Sequence, residues 1–246
     1  MTAVFIYLAI ALIGSLAGLA VSVYSGYRVA LGPEEDENDS GEVRKTYKWR
    51  LDSAETCIIP LSAFLWVLLF YVIVGDRQGA GDFSNVKLMI KWLTFSLSSS
   101  VLAGVAFVDW KIFEIPPLFD ILTAVFGAAR LLSDLGKWEE YLIGSVLVSG
   151  IFLLIALASK GRAMGGGDIK LTAAMGLLLG WKQILLVMTL GSLLGAVIHS
   201  VLMKVSRKEH MLAFGPYLAV AGITSMLVGD KIVEWYTVYM ISTISV

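Results

Sequence analysis

Cysteine is almost missing from this chain: Cys57 is the only one in 246 residues. A single thiol cannot close an internal disulfide, and it excludes a zinc site built from cysteines. Its simplest reading is a small apolar side chain in a packed interior. Charge is also sparse, at 16% of residues, with 19 Lys and Arg against 20 Asp and Glu. A near-neutral chain without a Lys/Arg block is a poor match for nucleic acid, which is not expected as a partner. The two histidines, His199 and His210, lack the spacing and company of a metal site. No glycine-rich nucleotide loop follows a strand, and no cofactor or metal is expected.

Apolar residues are abundant instead. They make up 57% of the chain, and the mean hydropathy is +0.79, more than a soluble surface tolerates. The composition predicts an all-α, polytopic transmembrane helix bundle embedded in a lipid bilayer. The opening segment, "MTAVFIYLAIALIGSLAGLAVSVY", has no basic lead-in, and its apolar run exceeds that of a signal peptide, so it reads as a span. Runs of about 20 apolar residues, enough for a hydrocarbon core about 30 Å thick, recur along the chain. They predict about eight spans, at residues 2–24, 57–75, 86–108, 117–133, 140–159, 169–182, 183–203 and 213–230. The stretch 169–204 is divided at Gly180, Trp181 and Lys182, since some 36 helical residues would extend about 54 Å. The tail after Asp230 carries Lys231 and Glu234 and reads as an interfacial end, with a ninth crossing as the alternative. Residues 1–85 form a two-span region with a charged loop at 25–56, and residues 86–246 form the core that carries the motifs below.

Lys and Arg set the orientation. With the N-terminus outside, the inner segments hold twice as many of them as the outer loops, whose members are Arg77, Lys87, Arg130, Lys137, Lys182 and Lys231. The long polar loop is therefore cytoplasmic. It reads as a solvated linker, or as an acidic patch in which Glu34, Glu35, Asp36, Glu37 and Asp39 attract a basic substrate segment.

Two Gly-x-Gly-Asp strings occur, "GAGD" at 79–82 and "GGGD" at 165–168. Ionisable residues at span ends are costly unless they serve a purpose, which singles out Asp109, at the end of the third span, as well. Two crossings separate Asp109 from Asp168, which places them on one face. One crossing separates Asp82 from Asp109, which places Asp82 about 30 Å away, in an outer turn. Alone, "GGGD" reads as readily as a flexible turn whose aspartate caps the next helix. Two carboxylates on one face and at one depth point further, because a close pair holds one proton between them. One member can then activate water while the other donates to a scissile carbonyl. Asp168 at a helix start and Asp109 at a helix end suggest that Asp168 is the more acidic member. Gly165 and Gly167 let backbone approach closely there.

"DWKIFEIPP", then "MGGGDIKLTAAMGLLLGW", then "AFGPYLAVAGI" resemble the type IV prepilin peptidase family, membrane GxGD aspartyl proteases, from about Asp109 to Tyr236. The resemblance implies a multi-pass enzyme of the cytoplasmic membrane with Asp109 and Asp168 as the catalytic pair, facing the cytoplasm. Its substrate would be a prepilin or prepilin-like protein, cut after a short basic leader, typically at a glycine. Gly165, Gly167, Lys170, Pro116, Gly215 and Pro216 would be the supporting motif residues, with Pro216 bending the last span. Many bacterial members carry a two-CxxC insert between the first spans and also methylate the new N-terminus. This chain has a charged, cysteine-free loop there, so cleavage without N-methylation is expected, a bifunctional enzyme being the alternative.

Other features read more plainly. The glycine pairs 14/18, 176/180 and 191/195 suit close packing within the bundle better than dimerisation. Ser96, Ser98, Ser99 and Ser100 either line a wet path toward Asp109 or bond back to their own helix. Glu114 reads as a surface acid. A proton- or cation-coupled transporter is the competing class, and it should show mid-membrane acids and internal repeats, neither of which is found. A presenilin-like protease shares the GxGD string but resembles this chain less around Asp109.

Overall fold

The computed structural model describes residues 2–30, 53–75, 85–161, 164–206 and 213–244. The five loop acids from Glu34 to Asp39, the "GAGD" string with Asp82, and His210 lie outside the described residues.

The described residues form eight long helices: α1 (Thr2–Ala30), α2 (Ile58–Phe70), α3 (Val86–Ile112), α4 (Pro117–Ser133), α5 (Trp138–Ala158), α6 (Gly166–Leu179), α7 (Trp181–Ser206) and α8 (Gly215–Ile244). No strand occurs among the described residues. Helices are the form that an apolar chain takes in lipid, because each satisfies its own backbone polar groups. Six of the helical stretches are long and apolar enough to cross a membrane, so the protein is a multi-pass membrane protein. Helices α4 and α6, with 17 and 14 residues, are shorter, about 25 and 21 Å, and pack against each other, α4 keeping an exposed apolar face that includes Ile121 and Val125.

Helix α3 is the axis, packed against α1, α2, α4 and α8, and it is buried almost without a break from Thr94 to Val105. Large apolar side chains such as Phe5, Leu8 and Leu12 on α1 instead face outward, where lipid would cover them. The serines of α3 are buried at 1% exposure or less; Ser99 bonds back to the Ser96 carbonyl at 2.8 Å, and Ser100 accepts from the Trp66 indole at 3.0 Å.

The break between α6 and α7 falls at Gly180, whose φ of +83° suits glycine alone, and Trp181 starts the next helix. All three glycine pairs serve packing inside the chain. A Cβ on Gly14 or Gly18 would strike α2, and one on Gly191 or Gly195 would touch α8. Gly176 lies backbone to backbone on Gly144 of α5, where an added Cβ would clash with the carbonyl oxygen. Gly176→Val should therefore destabilise the bundle by about 3 kcal/mol or more. We expect loss of the monodisperse peak on size exclusion, whereas Gly150→Val, facing open space, should keep it.

Two expectations are corrected. Cys57 is exposed, at the turn that starts α2, rather than buried. The tail is not a separate interfacial piece, since α8 continues unbroken to Ile244. Asp230 does not end that helix; its carboxylate, half exposed, is held by the Lys91 ammonium and the Gln183 amide of two neighbouring helices.

Candidate active site

Helix α3 ends in a left-handed residue, Phe113 at φ +54°, whose N–H bonds the Asp109 carbonyl at 2.9 Å. The chain then turns through Ile115 to Pro116, extended at ψ 132°, and Pro117 opens α4 where its missing N–H costs nothing. Helices α4 and α5 go out and back, and the "GGGD" glycines return to the end of α3. There Gly167 lies so close to Ile115 that a Cβ would sit 3.0 Å from the Ile115 Cβ.

Asp109 is 6% exposed and projects from the last turns of α3. Its Oδ2 accepts the Gly215 N–H at 2.9 Å. Gly215 is the first residue of α8, so the start of that helix is aimed at the Asp109 carboxylate, a placement that favours an anion. Glycine is needed there: a Cβ would stand 2.7 Å from Oδ2. Pro216 does not bend α8. It lies in the first turn, where no intrahelical acceptor is lost, and the Phe214 carbonyl takes the N–H groups of Tyr217 and Leu218, both at 3.1 Å.

Asp168 is the third residue of α6 and reaches back to the backbone of Gly165, the N-cap residue. That is the reach of an N3 acid in a capping box, so the capping role and a chemical role coexist in one side chain. Asp168 precedes the apolar run at 169–182. Burial and the charge of Asp109 push its carboxyl up to about 7, against an ordinary 3.8. The basis for calling Asp168 the more acidic member is thus altered. Each aspartate meets a helix start, and Asp168 additionally feels Asp109.

A raised value in the folded state means that the folded chain binds this proton more tightly than the unfolded chain does. The associated stability is complete below about 4 and is lost as the pH rises through about 7. Asp168→Asn removes that slope. In detergent, the melting temperature of the variant should gain on wild type between pH 5 and pH 8, and a constant gap would count against a partly buried, proton-holding Asp168.

Both aspartates line one cleft of about 770 Å³, walled by Phe113, Phe152, Met164, Met188 and Phe214. His199 of α7 also faces the cleft, although its sequence neighbours gave no sign of a partner. Lys170 of α6 is exposed and does not line the cleft, and Glu114 is paired with Arg28 at 2.8 Å, as suits a surface acid. One residue escaped the sequence reading. Asp120, in the first turn of α4, is 8% exposed, and its Oδ1 has no hydrogen-bond partner among the described residues. The charges that act on it are those of Lys170 and Asp168. An acid just inside an apolar helix is a usable sequence signal for such a residue.

Residues 96–200, which include both aspartates, match the type IV leader peptidase family. The chain is similar to proteins named prepilin leader peptidase/N-methyltransferase. In Aeromonas salmonicida the identity is 28%, covering 83% of this chain and 78% of the relative. In Aeromonas hydrophila it is 30%, covering 78% and 67%. In Bacillus subtilis it is 34%, covering 56% of each. No solved structure matches. A match that spans both aspartates, with likeness running over most of the chain, makes the conclusion plain: the chain belongs to the type IV leader peptidase family.

Proposed function

We propose that this protein is a membrane aspartic endopeptidase that cuts the basic leader from type IV prepilins or prepilin-like proteins at the cytoplasmic face of the membrane. The observation that carries the reading is the meeting of Asp109 and Asp168, from different helices, in one cleft where the charge of one acts on the other. The family membership supports prepilins as substrates. The excess of Lys and Arg on the aspartate side supports the orientation.

In this reading the pair shares one proton. The ionised carboxylate takes a proton from a water molecule as its oxygen attacks the scissile carbonyl. The protonated carboxyl gives its proton to the carbonyl oxygen, forming a tetrahedral gem-diol. The C–N bond then breaks, the nitrogen leaves as the amine by taking up a proton from the pair, and the new carboxyl remains on the leader. Gly215 fixes Asp109 through its N–H, and Gly165 steadies Asp168. The aromatic and methionine wall would receive apolar substrate residues near the cut and keep bulk water out.

The test is incubation of the purified protein with a prepilin that carries a basic leader, with both products weighed by mass spectrometry. A single cut after the leader is expected, and an uncut substrate would sink the proposal. Adding S-adenosylmethionine to the same reaction tests the second half of the relatives' name. We expect no methyl group on the new N-terminus, because the loop between the first two spans lacks the paired cysteines of two-activity members. A methylated product would assign both activities to the chain.

A further inference from the structure

The cations that sequence counting leaves on the face opposite the aspartates are the exceptions to the charge bias. Of those six, Arg77 lies outside the described residues. Four of the remaining five, Lys87, Arg130, Lys137 and Lys182, line a single cleft of about 510 Å³, joined there by Lys91. They come from α3, α4, the turn Leu135–Lys137 and α7, so only the tertiary fold brings them together.

An account of the charges shows which of them are already engaged. Lys87 pairs with Asp134 at 3.2 Å. Lys91 and Gln183 hold Asp230, and the Ser225 hydroxyl lies 3.5 Å from the Gln183 Oε1, so the floor of the cleft is a closed network. Arg130 donates through Nη1 to Ser133 at 3.3 Å and lies 5.7 Å from the Tyr141 ring, yet its buried Nε has no acceptor among the described residues. Lys137 and Lys182 make no ion pair among the described residues, nor do Glu140 and Glu234, the two remaining carboxylates of the lining. A buried donor without an acceptor is costly. Glu140 and Glu234 also line the cleft, so its five cations face four carboxylates, and one further negative charge would balance the spare donors of Arg130, Lys137 and Lys182.

The position in the bilayer suggests what that anion is. Trp138 and Trp181, the first residues of α5 and α7, stand at this end, and such aromatic side chains settle at the level of lipid headgroups. The cleft also has an apolar wall, which includes Leu88, Leu178 and Val233. We propose that this cleft binds the phosphate group of a membrane phospholipid, with Arg130, Lys137 and Lys182 as its donors. Guanidinium and ammonium groups suit phosphate oxygens, and the apolar wall suits the glycerol and upper acyl chain. The proposal is independent of the peptidase reading, since the cleft lies at the far end of the bundle from Asp109 and Asp168.

The test uses the full chain, purified in a mild detergent and stripped of lipid, with the melting temperature followed as ligand is added. The ligands are phosphatidylglycerol, phosphatidylethanolamine, diacylglycerol without phosphate, and inorganic phosphate against chloride at equal ionic strength. We expect a saturable rise with phospholipid and none with diacylglycerol. Lys137→Gln/Lys182→Gln should raise the half-saturating concentration roughly tenfold, the loss expected for a charge-assisted hydrogen bond. Both lysines lie at the rim, so this variant keeps the fold; Arg130→Gln, which also removes the contact with Tyr141, is the second variant. A saturable rise with inorganic phosphate alone, lost in the same variants, supports the phosphate chemistry and assigns it to a soluble source. Equal responses to diacylglycerol and phospholipid, or equal half-saturation in wild type and variants, overturn the proposal. Cleavage is not part of this readout, so its failure and that of the peptidase reading can be told apart.

Discussion

Asp109→Asn and Asp168→Asn are each expected to lower cleavage of a prepilin by about 10³-fold or more, the scale of losing a positioned acid or base. Asparagine keeps the shape of aspartate and can still accept the Gly215 N–H that Asp109 Oδ2 accepts. What it cannot do is exchange a proton with water or with the other carboxylate. Because the two groups would act as one unit, the double variant should be no worse than either single one. The folded state should survive both changes, and in Asp168→Asn it should be more stable at pH 8, since a partly buried carboxyl pushed up to about 7 is removed. Loss of cleavage with a melting temperature at or above that of wild type is therefore the signature of chemistry rather than of misfolding. Asp82→Asn serves as the control and should cleave as wild type does. If either dyad variant retains cleavage within about tenfold of wild type, that residue is not one of the pair.

Much of this frame was legible in the sequence because a membrane simplifies the code. Apolar runs mark helices, and counting crossings between Asp109, Asp168 and Asp82 needs no tertiary detail. The division at Gly180 followed from length alone, and the structure adds the positive φ that makes glycine necessary there. What could not be read were contacts between distant segments. Asp230 looked like the end of the last span, because a lone acid in an apolar run usually marks an exit. Its partners Lys91 and Gln183 lie on other helices and tie its half-exposed carboxylate to the bundle, and α8 continues past it. Similarly, the outer cations looked like scattered span-edge charges until the packing of α3, α4 and α7 gathered them around one cleft. Asp120 carries a local signal, an acid within an apolar run, but its charged neighbours Lys170 and Asp168, like the cleft that His199 faces, come only from the fold.

Gly215→Ala should cost activity out of proportion to its size. The "FGPY" glycine was visible in the sequence only as part of a motif, yet its N–H is the hydrogen-bond donor to Asp109 Oδ2, across 106 residues of chain. Alanine is a better helix former, and nothing at this position demands a positive φ, so backbone conformation is no obstacle. The obstacle is the added Cβ, which would stand 2.7 Å from Oδ2 and 3.0 Å from Cγ of Asp109. The carboxylate must then retreat or rotate, and the N–H bond that aims it is stretched or lost. Misplacing a reacting group by a fraction of an ångström up to 1 Å can reduce kcat by about 10²-fold, and a loss approaching that size is expected here. KM should change little, because the aromatic wall formed by Phe113, Phe152 and Phe214 is untouched. Overpacking at a buried site costs about 1–3 kcal/mol, so the melting temperature should fall by a few degrees. Gly150→Ala, whose Cβ meets nothing within 4 Å, is the matched control and should leave kcat unchanged while raising stability slightly. A Gly215→Ala protein that turns over at the wild-type rate would mean that Asp109 does not depend on this amide, and the role assigned to the start of α8 would have to be withdrawn.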